Sequence, residues 1–205
     1  MQFLLEKYYI DHAYCFGKKV FFMSWKKLKS QQIYKNKFIT VFHENVSAPT
    51  GFLTEYGRVH FHKKAVSVCV VNKKTNEILL VGQDRYPLSA FSWETIQGGG
   101  ELYEDPLKIA RREMREEGKI DSENLNFICK TNTSNSVTDE EAFIYWCDFS
   151  NTTESNKDLE DPTELIVRKW FNFQTALEMI HKKEITDSLT QISIFSIWNI
   201  LKLNT

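Results

Sequence analysis

The longest apolar stretch of the chain predicts a strand at the centre of a sheet. Residues 65–71, AVSVCVV, are apolar almost without interruption, which is typical of a strand buried on both faces. A polar turn at 72–76 and a second apolar run at 77–83, EILLVGQ, predict a return strand. The two runs together indicate the hairpin around which the main core is built.

The region before this hairpin shows a pattern of short strands separated by turns. We predict strands at 38–42 and 57–62, the second with two-residue alternation, and a turn at 49–51 between them. Such an antiparallel unit has little core of its own, so we expect it to lie on another domain or subunit. Residues 1–22 are aromatic and mixed in charge, and they show no clear period.

Strand and helix patterns alternate in the second half of the chain. Strands predicted at 125–132 and 142–149 flank the polar loop 133–141. A strand at 164–173 runs into a helix at 175–183, and an amphipathic helix follows at 185–203. This mixture predicts an α/β protein in which helices cover both faces of a mixed sheet.

The change of pattern along the chain divides it into three parts. Aromatic and charged residues without a period come first, then the short strands, and then the apolar hairpin with the alternating elements. A main domain of about 140 residues lies within the usual size of a single domain. We therefore predict an N-terminal extension at 1–23, a small β unit at 24–62 and a main domain at 63–205.

Residues 98–120 predict a tight glycine turn, a loop that carries Glu104, and a helix. Asp105 is a suitable N-cap, and Pro106 at the first helical position loses no hydrogen bond. At 100° per residue, one stripe of this helix is apolar and another arc is charged. The apolar stripe comprises Leu107, Ala110 and Met114; the charged arc comprises Arg112, Glu113, Glu116 and Glu117.

The crowded glutamates on this helix predict a bound cation. Like charges three or four residues apart destabilise a helix by roughly 0.2–0.5 kcal/mol per pair, so Glu113, Glu116 and Glu117 need compensation. Arg112 lies one turn from Glu116 and can reach back to Glu104, but one guanidinium does not neutralise four acids. Because the ligands are hard carboxylate oxygens, we expect Mg²⁺ or Mn²⁺ rather than Zn²⁺.

Composition limits the classes of partner. The formal net charge of −1 argues against a globally basic nucleic-acid binder. Residues 1–64 carry 11 Lys and Arg against 4 Asp and Glu, whereas residues 65–205 carry 15 against 23. A basic part beside an acidic part would suit an anionic substrate held between them, or two subunit surfaces that attract each other. No run approaches the roughly 20 apolar residues of a membrane span, and charges interrupt any signal peptide. We expect neither nucleic acid nor membrane as partners.

The cysteines predict a reduced, cytoplasmic protein. Cys15, Cys69, Cys129 and Cys147 are far apart and lack the spacing of a zinc site. Cys69 and Cys147 lie in apolar strand-like runs, where a free thiol behaves as a small hydrophobic group.

The spacing of the charged residues in 98–120 resembles the signature of the Nudix hydrolases. Gly98 is followed after five residues by Glu104, and after seven more by Arg112-Glu113-Met114-x-Glu116-Glu117. Nudix hydrolases cleave a nucleoside diphosphate linked to another moiety, and their fold is an α/β/α sandwich with a mixed sheet. One position departs: Lys119 stands where the family has a second glycine, and we expect Gly118 to supply the left-handed residue that ends the helix.

The resemblance extends from about residue 25 to 201 and is to the ADP-ribose and nucleotide-sugar pyrophosphatase branch. LVGQDRYP is similar to the branch's strand ending in Gln-x-Arg, and KKEITDSLT to its Gly-Glu-Ile-x-Asp-x-x-Thr. SWETIQGGG is similar to its Glu-x-Pro-Ala-Gly segment, although Ile96 and Gln97 replace Pro and Ala. The resemblance implies that the backbone carbonyl of Gln97 joins Glu113, Glu116 and Glu117 as a metal ligand.

The resemblance also implies a general base outside the acidic helix, because the helix carboxylates are occupied by the cation. In this branch the base is a glutamate from the loop between the two strands predicted at 125–132 and 142–149. We assign Glu140, with Asp139 and Glu141 as alternatives; these acids otherwise only solvate a hairpin. Arg112 and Glu104 complete the catalytic set that we predict.

Substrate contacts are predicted in two places. Arg85 is a phosphate contact by resemblance, with an ion pair to Asp84 or Glu94 as the other interpretation. Glu94 belongs to the same predicted substrate site. Related enzymes stack the adenine between aromatic residues of the N-terminal unit, often from both subunits of a homodimer, which makes Phe38 and Tyr56 candidates; otherwise these are core residues.

We therefore expect a cytoplasmic, Mg²⁺-dependent hydrolase of ADP-ribose or a related nucleoside diphosphate sugar that forms a homodimer. Its products would be a nucleoside monophosphate and a sugar phosphate. Two alternatives stay open: a Nudix hydrolase of another nucleoside diphosphate derivative, such as a dinucleotide or an oxidised nucleotide, and a sensor that binds ADP-ribose without cleaving it.

Overall fold

The computed structural model describes residues 15–16, 19–20, 24–155 and 165–201. These residues belong to two compact units. The first unit lies within Met1–Asn36 and Thr40–Val59, and the second within Lys37–Ile39 and His60–Thr205. The domain division at 23/24 and 62/63 stays a prediction, and most of the predicted extension lies outside the described residues.

The first unit contains antiparallel strands that are longer than the sequence pattern suggested. Strands β1 (Cys15–Phe16) and β2 (Lys19–Val20) pair with each other. A second sheet has the order β3 (Lys26–Lys35), β4 (Ile39–Ser47), β5 (Leu53–Phe61). The strands predicted at 38–42 and 57–62 are therefore shorter than the observed β4 and β5. The small antiparallel unit itself is confirmed, because its sheet precedes the main sheet in the chain.

Polar contacts and the ring pair of Trp25 and Tyr56 support the backbone ladder of the three-stranded sheet. The Glu44 carboxylate accepts hydrogen bonds from Ser30 and from the Arg58 guanidinium, and the Arg58 contact lowers the pKa of Glu44. Trp25 and Tyr56 meet edge to face with ring centroids 5.4 Å apart. All ten residues of β3 are exposed, which confirms that this unit has little core of its own.

The second unit is built on one mixed sheet of seven strands. Its order is β11-β12-β6-β7-β14, with β8 paired to β7 and β9 paired to β6. Only the β12–β6 pair is parallel. The strands are β6 (Lys63–Asn72), β7 (Glu77–Arg85), β8 (Ala90–Glu94), β9 (Ile96–Glu101), β11 (Asn126–Asn132), β12 (Glu141–Asp148) and β14 (Val167–Asn172); β10 (Ile120–Asp121) and β13 (Thr153–Glu154) form a separate pair.

The central strand β6 changes neighbours halfway along one edge. Its first six residues, 63–68, pair with β9, whereas residues 70–72 pair with β7. Its other edge pairs with β12 over residues 65–71. The sheet therefore forks where β7 and β9 separate from each other.

Helices cover both faces of this sheet, as predicted. They are α1 (Pro106–Glu116), α2 (Phe173–His181) and α3 (Ser188–Leu201). Val66, Val68 and Val70 of β6 belong to the same apolar cluster as residues of α1, whereas Cys69 and Val71 belong to the cluster of α2 and α3. This alternation explains the continuous apolar run, because both faces of β6 are buried. No helix among the described residues is long and apolar enough to span a membrane.

The thiols of Cys69 and Cys147 lie in this core, as predicted. Both side chains are fully buried and free. Burial raises the pKa of both thiols, for Cys147 to about 12. The neutral thiol is therefore the form present at neutral pH, and both residues pack as small apolar groups.

Candidate active site

The three consecutive glycines form a strand rather than the predicted turn. Gly98, Gly99 and Gly100 lie in β9 and pair with β6 in an antiparallel ladder. Glycine is required here because α1 lies very close. A Cβ on Gly98 would overlap the carboxyl group of Glu113, and one on Gly100 would overlap Ile109. The prediction of a turn was wrong because the sequence cannot distinguish a glycine needed for its conformation from one needed for space.

The helix α1 begins as the sequence predicted. The Asp105 side chain accepts a hydrogen bond from the Leu107 N–H at 3.0 Å, and Pro106 occupies the first turn. Ala110 and Met114 are fully buried, and so is Ile109, which the predicted stripe omitted. The apolar face therefore fixes which side of the helix carries the glutamates.

The end of α1 differs from the prediction. Lys119, not Gly118, adopts the left-handed conformation, with φ of 55°. Gly118 instead allows close packing, because a Cβ there would lie 2.6 Å from Ile96 Cδ1 and 2.7 Å from the Met114 carbonyl oxygen. Lys119 is the position where the resembled signature has its second glycine. Lys119 thus keeps the left-handed turn in place of a glycine. This conformation costs a residue that has a Cβ roughly 1–2 kcal/mol.

Replacing Lys119 by glycine should stabilise the protein. Relief of the left-handed strain outweighs the added entropy of the unfolded chain, so we expect the free energy of unfolding to rise by about 0.5–1 kcal/mol. Urea denaturation measures this value. Lys108→Gly, at an exposed position inside α1, is the matched control and should lower the free energy of unfolding by about 1 kcal/mol. Equal losses in both variants would contradict the strain at Lys119.

Ion pairs hold the outer side and the end of α1. Arg111 and Arg115 both bind the Asp121 carboxylate, with contacts of 3.0 and 3.1 Å, and the hydrogen bond from Arg111 is the main cause of a lowered Asp121 pKa. The Arg168 guanidinium from β14 donates to the backbone carbonyls of Glu117 and Glu116. A cation at these carbonyls is favourable because they form the negative end of the helix dipole.

The charged arc of α1 is tied to β9 and to the loop between them. Arg112 donates to Glu104 Oε1 at 2.8 Å, the contact expected from the sequence, and to the Gly99 carbonyl at 2.9 Å. The Gln97 N–H donates to Glu117 Oε2 at 2.9 Å. Glu113 and Glu117 are buried, with exposed fractions of 8% and 4%. Buried carboxylates require strong partners, and these contacts supply part of them.

These side chains line a cavity of about 750 Å³ at the fork of the sheet. Its walls come from β6, β9, α1, the end of β7 and the start of β14. The charged residues around it are Lys63, Arg85, Glu101, Glu104, Arg112, Glu113, Glu116, Glu117 and Arg168. A cavity of this size holds a nucleotide-sized ligand, and its mixed charges suit one that combines anionic groups with a bound cation.

The donors present fit a hard divalent cation. Glu113, Glu116 and Glu117 offer carboxylate oxygens to one cavity, and the glycine at 98 leaves room for the carboxyl group of Glu113. Within 24–155 and 165–201, however, no three acidic, histidine or cysteine side chains are gathered as a closed ligand set. Glu117 is instead bonded to the Gln97 N–H, and Glu113 lies 3.4 Å from the Arg112 guanidinium.

The three candidate bases lie in the loop before β12 and at its start, and none lines the cavity. Asp139 binds His60 Nδ1 at 2.7 Å and the Phe61 N–H at 2.9 Å. Glu140 accepts a hydrogen bond from the Thr133 hydroxyl at 2.7 Å. Glu141 pairs with Lys130. The assignment of Glu140 as the base stays a prediction.

The predicted substrate residues are divided between the cavity and other places. Arg85 lines the cavity and makes a two-pronged ion pair with the buried Glu94, with N–O distances of 3.0 and 2.5 Å. Phe38 is half exposed beneath the Lys37 ammonium group, and Tyr56 contacts Trp25. Neither ring is among the cavity residues, so the aromatic adenine contacts also stay predictions.

Two basic residues of the cavity, Lys63 and Arg168, were not predicted from the sequence. Lys63 begins β6 opposite Glu101, and Arg168 lies in β14, far from the acidic helix in the sequence. Two-residue alternation in β14 places Arg168 on the same face as Trp170, which packs with the α1 cluster. Only knowledge of the strand order would have directed its side chain to the end of α1.

Comparisons with known proteins agree with this architecture. A family model described as NUDIX domain matches residues 61–189. The chain is 29% identical to a methanol dehydrogenase activator of Bacillus methanolicus and 28% identical to an ADP-ribose pyrophosphatase of Bacillus subtilis strain 168. Each alignment spans 169 residues, which is 82% of this chain and 90% of the relative.

A solved structure described as an ADP compounds hydrolase shares the fold. It superposes with a TM-score of 0.77 over 87% of this chain and 95% of that chain, at 14% identity. The predicted arrangement of a mixed sheet between helices, preceded by a small antiparallel sheet, is thereby confirmed. Because the family model spans more than half of the chain and the fold agrees with it, the protein belongs to the NUDIX domain family and is a Nudix pyrophosphohydrolase.

Proposed function

We propose that this enzyme hydrolyses the diphosphate linkage of ADP-ribose or a related nucleoside diphosphate sugar with Mg²⁺ or Mn²⁺. The products are a nucleoside monophosphate and a sugar phosphate. The observation that carries the proposal is the cavity at the fork of the sheet, which is lined by the glutamates of α1 together with Arg85 and Arg168. The names of the Bacillus subtilis relative and of the similar solved structure support this choice of substrate class.

The acidic residues of α1 would hold the cation. Glu113, Glu116 and Glu117 supply hard oxygen ligands, and the backbone carbonyl of Gln97 is the fourth ligand in this proposal. When bound, the cation neutralises charge that develops on the phosphate oxygens. Arg112 remains bonded to Glu104 and the Gly99 carbonyl, so its part is to keep the loop and β9 in register with α1.

The basic side chains of the cavity would bind and orient the diphosphate. Arg85 presents its guanidinium from the end of β7, where Glu94 fixes its plane through two hydrogen bonds. Lys63 is an exposed cation at the start of β6. Holding both phosphates in one orientation lowers the entropic part of the activation barrier to hydrolysis.

Glu140 is the proposed base that removes a proton from the attacking water. Its carboxylate is held by the Thr133 hydroxyl, whereas Asp139 is bound by an imidazole and a backbone N–H, and Glu141 by an ammonium group. Glu141 has to break its ion pair with Lys130 before it can turn toward a water, whereas Glu140 has to leave a neutral hydroxyl. This comparison favours Glu140 over Glu141, with movement of the loop needed to bring it to the water.

The first unit would form the interface of a homodimer. Its strand β3 is exposed along its whole length, and Leu28, Ile33 and Tyr34 on it are each more than half exposed. An exposed strand with apolar side chains is a natural site for pairing with a second copy. Phe38 and Tyr56 keep their proposed part in binding the adenine. The free, buried thiols suit the cytoplasm.

A hydrolysis screen over nucleotide sugars, dinucleotides and nucleoside triphosphates tests the function. With ADP-ribose and Mg²⁺ we expect AMP and ribose phosphate, and no reaction after chelation of the metal. Pyrophosphate released from a triphosphate would favour the oxidised-nucleotide alternative. ADP-ribose that is bound tightly in the presence of Mg²⁺ but left intact would identify a sensor and refute hydrolysis.

A further inference from the structure

A network of buried polar side chains joins α3 to the sheet directly behind the cavity. Ser67, Thr95, Thr190 and Ser193 are fully buried. Their hydroxyl groups are linked: Ser67 to Thr95 at 2.8 Å, Thr95 to Thr190 at 3.3 Å and Ser67 to Ser193 at 3.3 Å. Buried polar groups fix a unique arrangement when every member has a partner.

Asp187 and Gln97 extend this network toward the cavity. Asp187 precedes α3, and its Oδ2 accepts from the Thr190 N–H and from the Thr190 hydroxyl, each at 2.7 Å, as an N-cap residue does. The same oxygen accepts from Gln97 Nε2 at 2.6 Å. Gln97 Nε2 also lies 3.0 Å from Thr190 Oγ1, and the Thr95 N–H donates to that hydroxyl at 3.0 Å.

The backbone of the same glutamine serves the opposite side of the sheet. β9 has β6 as its strand neighbour, so alternate N–H groups of β9 point away from β6. The Gln97 N–H donates to Glu117 Oε2 at 2.9 Å. The side chain of Gln97 therefore anchors to α3 the same peptide unit that holds a buried carboxylate of α1.

We infer that Gln97, fixed by Asp187 and Thr190, is a positioning residue for the Glu117 carboxylate. This inference rests on the proposed function, in which Glu117 holds the cation. The link is specific to the glutamine, because an alanine, the usual residue in the resembled segment, has no amide to reach Asp187. It also gives a use to the Asp-x-x-Thr pattern at 187–190, which places an N-cap and a hydroxyl acceptor behind β9.

Without the side-chain anchor, the peptide at residue 97 keeps its strand pairing with β6 but loses its tie to α3. Glu117 then loses a fixed N–H partner, and its carboxylate samples positions unsuited to a shared cation. Groups that orient a metal ligand are typically worth about 10–100-fold in metal affinity. The expected consequence is a weaker cation site in a chain that still folds.

Gln97→Met tests this inference, because methionine has similar length and no amide. Mn²⁺ binding without substrate, measured by electron paramagnetic resonance, should show a Kd about 10-fold higher than in the parent. Asp187→Asn keeps an acceptor for α3 but loses the charge, so a smaller rise is expected. In the double variant, the Mn²⁺ Kd should rise by less than the product of the two single-variant factors, because both substitutions act through one hydrogen bond.

Gln83→Met is the matched control. Gln83 is buried in β7, and among the described residues its Nε2 has no hydrogen-bond partner. The substitution is chemically the same, yet it should leave the Mn²⁺ Kd within twofold of the parent. Urea denaturation of every variant without metal shows that each is folded, and a purely structural role for Gln97 would lower the unfolding free energy without changing the Kd.

The outcomes separate this inference from the proposed function. A Gln97→Met Kd within twofold of the parent overturns the inference, even if the parent cleaves ADP-ribose. A parent that binds no Mn²⁺ overturns it as well. A parent that binds Mn²⁺ with the expected dependence on Gln97 but cleaves no ADP-ribose supports the positioning role and refutes the proposed substrate.

Discussion

Glu117→Gln is expected to lower kcat for ADP-ribose hydrolysis about 10³-fold, the largest effect of any single change that we propose. Glutamine keeps the shape and an oxygen acceptor for the Gln97 N–H, but it removes one negative charge from the cation site. Loss of several kcal/mol of transition-state stabilisation corresponds to roughly three powers of ten in rate. Steady-state kinetics at saturating Mg²⁺ and ADP-ribose measure this change.

Glu178→Gln is the control for this prediction. Glu178 lies on the exposed face of α2, where it pairs with Lys182 at 3.3 Å. Loss of an exposed ion pair on a helix costs less than about 1 kcal/mol of stability, so kcat should stay that of the parent. If Glu117→Gln were as fast as the parent, the assignment of the α1 glutamates to a cation would be wrong.

Gly98→Ala is expected to lower kcat about 10²-fold while the protein remains folded. The added Cβ would overlap the Glu113 carboxyl group, with Oε1 only 2.7 Å away, so this side chain has to move out of the cavity. A misplacement of about 1 Å in a reacting group is enough for an effect of this size. The same kinetic measurement applies, together with Mn²⁺ affinity, which should also fall.

Gly82→Ala separates displacement of Glu113 from a general loss of packing. A Cβ on Gly82 would lie 2.5 Å from Phe91 Cζ, so a ring rather than a carboxylate has to shift. We expect a lower free energy of unfolding with the activity per folded molecule unchanged. Equal losses of activity in the two glycine variants would contradict the direct effect of Gly98 on Glu113.

The main sheet and the acidic helix were predictable because their signals are local and repeated. β6 and β7 show continuous apolar runs, and α1 has an N-cap, a proline and a clear apolar stripe. Each of these features depends on residues within about 20 positions of one another. Signals of this kind can be recognised before the strand order is known.

The parts that the sequence did not predict depend on close approach between distant segments. The glycines of β9 are required by Glu113 and Ile109, which pack against them, and Gly118 is required by its close approach to Ile96. Arg168 reaches the end of α1 from a strand more than 50 residues away. Such requirements become visible only when the strand order is known.

The choice among the three candidate bases could not be made from residue type alone. Asp139, Glu140 and Glu141 are consecutive, and the sequence offered no ground within itself for choosing one. Their partners differ sharply, being an imidazole, a hydroxyl and an ammonium group. The proposal of Glu140 therefore rests on these partners and on the resemblance, and not on residue type.

The forked edge of β6 also restricts how this binding pocket can change. The pocket occupies the gap where one strand exchanges β7 for β9, so its width is set by two ladders of backbone hydrogen bonds. Point substitutions can alter the lining but not this spacing, because widening it would break ladder bonds along the central strand. Acceptance of a bulkier substrate would thus call for inserted residues in the connections at the mouth of the gap.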